Sequence, residues 1–139
     1  MAVRYLLDTS WAILHLRGQP DIVARIEELA PEGLGISIIT LAELEVGVAR
    51  ARDSARSREV LERLVASVTV LDVTRPICTL FAEWAVRLQQ RGQGLEHFDV
   101  LIAATALHHG LMLCTTNRRH FERFEGLSLH PPMGEEKPA

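Results

Sequence analysis

Four short runs of apolar and β-branched residues, at 3–7, 34–39, 68–73 and 111–115, are separated by segments whose apolar residues recur at helical spacing. A strand covered on both faces reads as a continuous apolar run rather than an alternating one, and strands joined through helices run parallel. This pattern specifies an α/β fold: a three-layer α/β/α domain with a central, mainly parallel sheet of four to five strands.

The helical segments carry their own punctuation. Pro20 and Asp21 open a helix through Ile22, Val23, Ile26 and Leu29, which Pro31 stops. Thr40 follows the second strand directly and begins a helix through Leu41, Leu44 and Val48. Residues 50–65 set charged and small residues around Leu61, Leu64 and Val65, which reads as a helix with a wet, arginine-rich face. Ile77, Leu80, Phe81, Trp84 and Leu88 mark one face of a helix that ends at Gly92. Residues 92–97 read as a loop, after which Asp99 opens an apolar helix closed by Gly110 in the position of a left-handed cap. A short helix is expected over 118–123 and a weak strand over 127–129. The 139 residues suffice for one core and are too few for two. The expected organisation is one domain over 1–130 and a flexible tail over 131–139.

Asp plus Glu number 18 against 15 Lys plus Arg, a formal charge of −3, so no global basic field exists to hold a nucleic acid. An anionic substrate must be held by a local device. The one lysine, Lys137, lies in the tail; P-loop, Schiff-base and receiver-type sites, which need a lysine in the folded body, are thereby disfavoured. Cys78 and Cys114 are far apart among apolar neighbours, without metal-ligand spacing, and read as buried thiols in a reducing cytoplasm. Asp8 interrupts the first apolar run before it resembles a signal peptide, and no segment reaches the length of a membrane span.

In open parallel sheets, ligands collect beyond the carboxyl ends of the strands. Asp8 follows the first strand, Glu43 lies in the first helical turn after the second, and Asn117 lies two residues past the fourth. Asp99 begins the helix that feeds the fourth strand, and a right-handed crossover brings that end to the same edge. Three carboxylates within about 4 Å repel by several kcal/mol per pair at an effective dielectric near 20. Such a cluster requires protons or a cation. Oxygen donors without a cysteine favour Mg²⁺ or Mn²⁺. The chemistry that follows is phosphodiester hydrolysis, in which the ion activates water and offsets charge on the phosphorane.

The strand with LDTS at 7–10, SIITLAELEVG at 37–47, FDVLIAATALHHGLML at 98–113 and TTNRRHF at 115–121 together resemble a PIN-domain protein of the VapC toxin type. The resemblance runs over nearly the whole chain, in order and with fitting spacing. It implies a metal-dependent endoribonuclease, the toxin of a toxin-antitoxin pair, that cleaves single-stranded segments of tRNA, rRNA or mRNA. It further implies that Asp8, Glu43 and Asp99 hold Mg²⁺ or Mn²⁺, that the chain is a homodimer, and that a VapB-type antitoxin neutralises it. The fourth acidic position of the family, often aspartate, is here Asn117, which offers a neutral oxygen and two donors.

Each residue also has a plainer reading. Asp8 suits a helix N-cap, Thr40 and Glu43 fit a capping box, and Asp99 in a first turn is favoured by the helix dipole. Asn117 tolerates a left-handed turn. Ser10 and Thr116 are candidates either for capping or for hydrogen-bonding a ligand carboxylate from behind. Arg118 and Arg119, beside Asn117, are the candidates for RNA phosphate contacts, whereas arginines 50, 52, 56, 58 and 63 read as a solvated face. His108 and His109 complement a helix C-terminus, and His97 and His120 are unassigned. Phe81 and Trp84 read as core, and Trp11 as core or dimer contact. The rival functional readings are a catalytically silent PIN-like module that binds RNA or protein, and a haloacid-dehalogenase-like or receiver-type protein. The latter lacks both its lysine and a DxD after the first strand.

Overall fold

A computed structural model describes residues 2–133. Five parallel strands, β1 (Tyr5–Leu7), β2 (Leu34–Ser37), β3 (Thr69–Leu71), β4 (Met112–Cys114) and β5 (Ser128–Leu129), form a sheet in the order β3-β2-β1-β4-β5. Seven α-helices among the described residues pack around it: α1 (Thr9–Leu16), α2 (Pro20–Leu29), α3 (Ile38–Arg50), α4 (Ser54–Ser67), α5 (Arg75–Gln90), α6 (His97–His109) and α7 (Arg118–Phe121). The three-layer α/β/α arrangement follows from the pleat. Leu6 and Leu113 turn to one side and pack with Trp84, Leu88, Ile102 and Phe121 of α5, α6 and α7. Their neighbours Leu7, Ile36 and Cys114 turn to the other side, against Trp11, Ile22 and Ile26 of α1 and α2. A third apolar cluster, Ala12, Leu44, Val48, Leu61 and Leu64, joins α1, α3 and α4 beside the sheet.

The centre of α6 is wholly enclosed, with Ala103, Ala104, Thr105 and Ala106 all at 0% exposure. Small side chains let the neighbouring elements close on it. The Thr105 hydroxyl stays satisfied by donating to the Leu101 carbonyl at 2.8 Å. Gly110 ends this helix at φ 66°, in the left-handed conformation its position requires.

Several boundaries differ from the sequence reading. The segment after Asp8 is helix α1: nearly every residue of TSWAILHL is apolar or small, so no polar face marks a helical period. Helix α3 begins at Ile38 with Ser37 as its N-cap, accepting from the Ile39 amide at 3.0 Å. Thr40 therefore lies buried inside the helix, and the Thr40–Glu43 capping box does not form. Helix α6 starts at His97, two residues before Asp99, which shortens the expected loop. Cys78 is exposed on α5, contrary to the expectation of a buried thiol, while Cys114 is buried. On α4, Arg58 pairs with Glu45 at 2.6 Å and Glu62 at 3.3 Å, and Arg63 with Glu59 at 3.6 Å. These are solvent-exposed pairs, screened by water and salt, and add little to stability. Of the expected tail, Met133 packs on the cluster around Trp11, and residues 134–139 lie outside the described residues.

Gly33, at the entrance to β2, has φ 99°, and a Cβ there would collide with the Ala2 carbonyl. Its own carbonyl accepts from the amides of Arg4 and Tyr5 at 3.0 and 3.1 Å, which sets the start of the central strand. Gly33→Ala combines a strained φ with a backbone clash and is expected to lower unfolding free energy by about 2–3 kcal/mol in urea titration. Gly47→Ala, in open helical surface, is expected to raise it by about 0.5–1 kcal/mol.

Candidate active site

Asp8 is the centre of the carboxyl edge. It ends β1, where its amide donates to the Cys114 carbonyl at 3.0 Å, and it caps α1. Its side chain is 4% exposed. Oδ1 accepts from the Ser10 hydroxyl at 2.5 Å and the Trp11 amide at 3.1 Å, and Oδ2 accepts from the Thr115 hydroxyl at 2.5 Å. Burial pushes the Asp8 carboxyl above its ordinary 3.8; these three hydrogen bonds oppose the rise, and the charge of Asp99 adds to it. The adjacent Cys114 thiol is driven up to about 12 by burial and by the Asp8 charge, so it stays protonated.

The supporting groups form a continuous set. Thr115 Oγ1 also accepts from the Asn117 amide at 2.8 Å, and Ser10 Oγ accepts from the Thr116 amide at 3.1 Å. Thr116 thus contributes its backbone, its side chain being exposed. Thr9 Oγ1 donates to Glu43 Oε1 at 2.6 Å and lies 3.1 Å from Thr40 Oγ1. Glu43 is half-buried on α3 and lines a cleft of about 580 Å³ together with Leu95, Glu96, His97, Phe98 and Asp99.

Asp99, in the first turn of α6, is also pushed above 3.8, first by burial and also by Glu96, while the nearby His120 opposes the rise. Asp99 Oδ2 lies 3.7 Å from His120 Nδ1, too far for a hydrogen bond. The same Nδ1 is 3.0 Å from Asn117 Nδ2. Arg118 turns inward, its Nη1 donating to the His130 carbonyl and its Nη2 3.8 Å from Glu122, whereas Arg119 is exposed.

The charge of Asp99 therefore reaches Asp8, and Glu43 and Asp99 share one cleft. Among the described residues no three His, Cys, Asp or Glu side chains close into a ready-made cage for an ion. Thr9, Thr115 and His120 were not singled out in the sequence. Thr115 was within reach: Leu7 pairs with Cys114 in the ladder, so the next residues, Asp8 and Thr115, fall side by side.

The sequence profile of the PIN domain matches residues 5–127. This chain belongs to the PIN-domain family. It is similar to the "Ribonuclease VapC1" of Haemophilus influenzae, 34% identical over 125 residues that cover 88% of this chain and 93% of the relative. It is 31% identical to the "tRNA(fMet)-specific endonuclease VapC" of Shigella flexneri over 125 residues, 90% of this chain and 95% of the relative. Among solved structures, the DNA-bound VapBC of Salmonella typhimurium superposes with a TM-score of 0.87 at 28% identity, covering 93% of this chain and 98% of that one. Within the PIN-domain family this is a VapC-type member, and no helix among its described residues is long and apolar enough to cross a membrane.

The raised carboxyls of this PIN domain have a consequence for stability. An acid that binds its proton more tightly folded than unfolded favours folding at low pH, and that contribution is lost as pH climbs from 3.8 through the raised folded value. Asp99→Asn removes one such group. In thermal melts without divalent ions, the Tm of Asp99→Asn relative to the parent is expected to rise between about pH 4 and 7. Adding Mg²⁺ or Mn²⁺ at about pH 7 is expected to raise the parent's Tm more than the variant's.

Proposed function

We propose that this PIN domain is a metal-dependent endoribonuclease, the toxin of a toxin-antitoxin pair, that hydrolyses phosphodiester bonds in single-stranded segments of tRNA, rRNA or mRNA in the cytoplasm. The observation that carries the reading is the Asp8 carboxylate, 4% exposed, held by three donors and facing the charge of Asp99. A catalytically silent module gives no reason to keep two repelling acids at one edge. A cation relieves both the burial and the repulsion, and the all-oxygen donor set fits Mg²⁺ or Mn²⁺.

Asp8, Glu43 and Asp99 would hold the ion, with Asn117 lending a neutral oxygen. Bound there, a divalent ion acidifies water and offsets the negative charge that grows on the phosphate. Hydrolysis joins a water oxygen to phosphorus and breaks the bond to the departing ribose oxygen, which takes up a proton. The protein's task is to hold its own groups in place. Ser10, Thr115 and the Trp11 amide fix the Asp8 carboxylate, and Thr9 fixes that of Glu43. Arg119, exposed at the start of α7, is the phosphate contact we favour, because Arg118 is bonded to the His130 carbonyl.

Similarity to the VapBC structures of Salmonella typhimurium and Haemophilus influenzae supports a VapB-type antitoxin as partner. A groove of about 390 Å³ opens beside Glu43, floored by Ile13, Leu16, Leu44, Val48 and Val60 of α1, α3 and α4. Its apolar floor between helices suits the apolar face of an antitoxin helix. Val86 and Phe98, exposed at 52% and 48%, give a homodimer apolar surface to cover.

In an RNA cleavage assay with mapped 5′ and 3′ ends, EDTA is expected to stop cleavage, Asp8→Asn to lower it by at least about a hundredfold, and Thr115→Val by about tenfold. Cleavage that survives EDTA overturns the metal-dependent reading. Gly47→Trp projects into the groove from a position with no atom within 4 Å of a Cβ. It is expected to keep nuclease activity and to weaken antitoxin inhibition by at least about tenfold in a co-titration.

A further inference from the structure

We infer that His130 is a positioning residue for the acidic edge, acting from the C-terminal end of the sheet on both segments that hold Asp8. The inference rests on the nuclease reading for what is positioned, and on the following contacts for how.

His130 follows β5, and its amide donates to the Leu113 carbonyl at 2.9 Å, extending the ladder by one residue. Its side chain is 5% exposed, on a segment beyond all the motifs that carry the family resemblance. Nε2 lies 3.0 Å from Arg25 Nε. A guanidinium has no acceptor, so the imidazole must accept through Nε2 and carry its proton on Nδ1. That proton is directed to the Pro131 carbonyl at 2.7 Å. These two contacts orient the ring.

Two arms run from His130 to Asp8, one from its ring and one from its backbone carbonyl. In the first, the imidazole packs on Trp11 with centroids 5.1 Å apart and planes at 67°. Trp11 is 1% exposed, its buried indole Nε1 meets no hydrogen-bond acceptor among the described residues, and its backbone amide is a donor to Asp8 Oδ1. In the second, the His130 carbonyl accepts from Arg118 Nη1. Arg118 immediately follows Asn117, whose amide bonds Thr115 Oγ1, and Thr115 in turn donates to Asp8 Oδ2. His130 therefore restrains both oxygens of one carboxylate through segments more than 100 residues apart in sequence. An apolar side chain would fill the same volume without the cost of burying an imidazole. What the imidazole adds is direction.

The test uses the full chain with His130→Leu, which keeps the packing and loses the acceptor, and His130→Gln, which keeps an acceptor for Arg25. Arg118→Met cuts the second arm without touching the ring. Each is measured for Tm, for kcat and KM on a single-stranded RNA, for Mn²⁺ affinity by electron paramagnetic resonance, and for tryptophan emission without metal. We expect His130→Leu and Arg118→Met to lower kcat about 10- to 100-fold with KM changed less than about threefold, and to weaken Mn²⁺ binding about tenfold. We expect His130→Gln to recover most of the loss, and the emission of His130→Leu to shift because Trp11 loses its polar neighbour. If His130→Leu does not fold, His130→Phe, which fills the site without an acceptor, takes its place, and Arg118→Met tests the carbonyl arm alone. Unchanged kcat and Mn²⁺ affinity in the folded variants overturns the inference, as does a glutamine variant no better than leucine. A parent chain that binds Mn²⁺ and cleaves no RNA overturns the nuclease reading alone, and the effect of His130→Leu on Mn²⁺ affinity then decides this one.

Discussion

A single buried carboxylate organises the molecule. Asp8 terminates the central strand, caps the helix that follows, and presents its charge at the edge where the other acids gather. Each role makes the others possible. The capping bond from the Trp11 amide and the hydroxyls of Ser10 and Thr115 compensate for water lost on burial. They do not compensate fully, because burial and Asp99 still hold the carboxyl above its ordinary range. On the proposed reading a bound cation would relieve that residual cost, and in a chain of net charge −3 it would be the local device for approaching a polyanion.

The three acids stand on supports of different stiffness. Asp99 lies in the first turn of a helix whose central residues are sealed on every side, so its backbone has little freedom to move. Asp8 sits on the central strand with partners on both sides. Glu43 is the loosest of the three, half-buried on α3 and held through one bond from Thr9. An ion that binds here would draw Glu43 toward a frame that Asp8 and Asp99 already define.

Much of this was legible in the sequence, and what was missed has physical causes. The strands were readable because sheet burial on both faces leaves unbroken apolar runs, and the order of acids at the strand ends followed from parallel topology. Helix α1 was missed because an apolar helix under a sheet has no wet face to reveal its period. The capping box at Thr40 failed because Ser37, three residues earlier, competes for the same task and lies at the true strand end. Cys78 was read from its neighbours in sequence, whereas its place on the exposed side of α5 decides its environment. Thr115 and Thr116 look alike in sequence, and only the β1–β4 register tells which hydroxyl meets Asp8. The part of His130 depends on contacts with Arg25 and Trp11 more than 100 residues away, which no local pattern encodes.

The sheet's margins are short. Its outermost strands, β3 and β5, run for three and two residues, and the next strand inward on each side is paired on both edges. Such stubs offer almost no backbone for an incoming strand to zip onto. A partner that reads side chains on the helical exterior fits such margins better than one that lengthens the sheet.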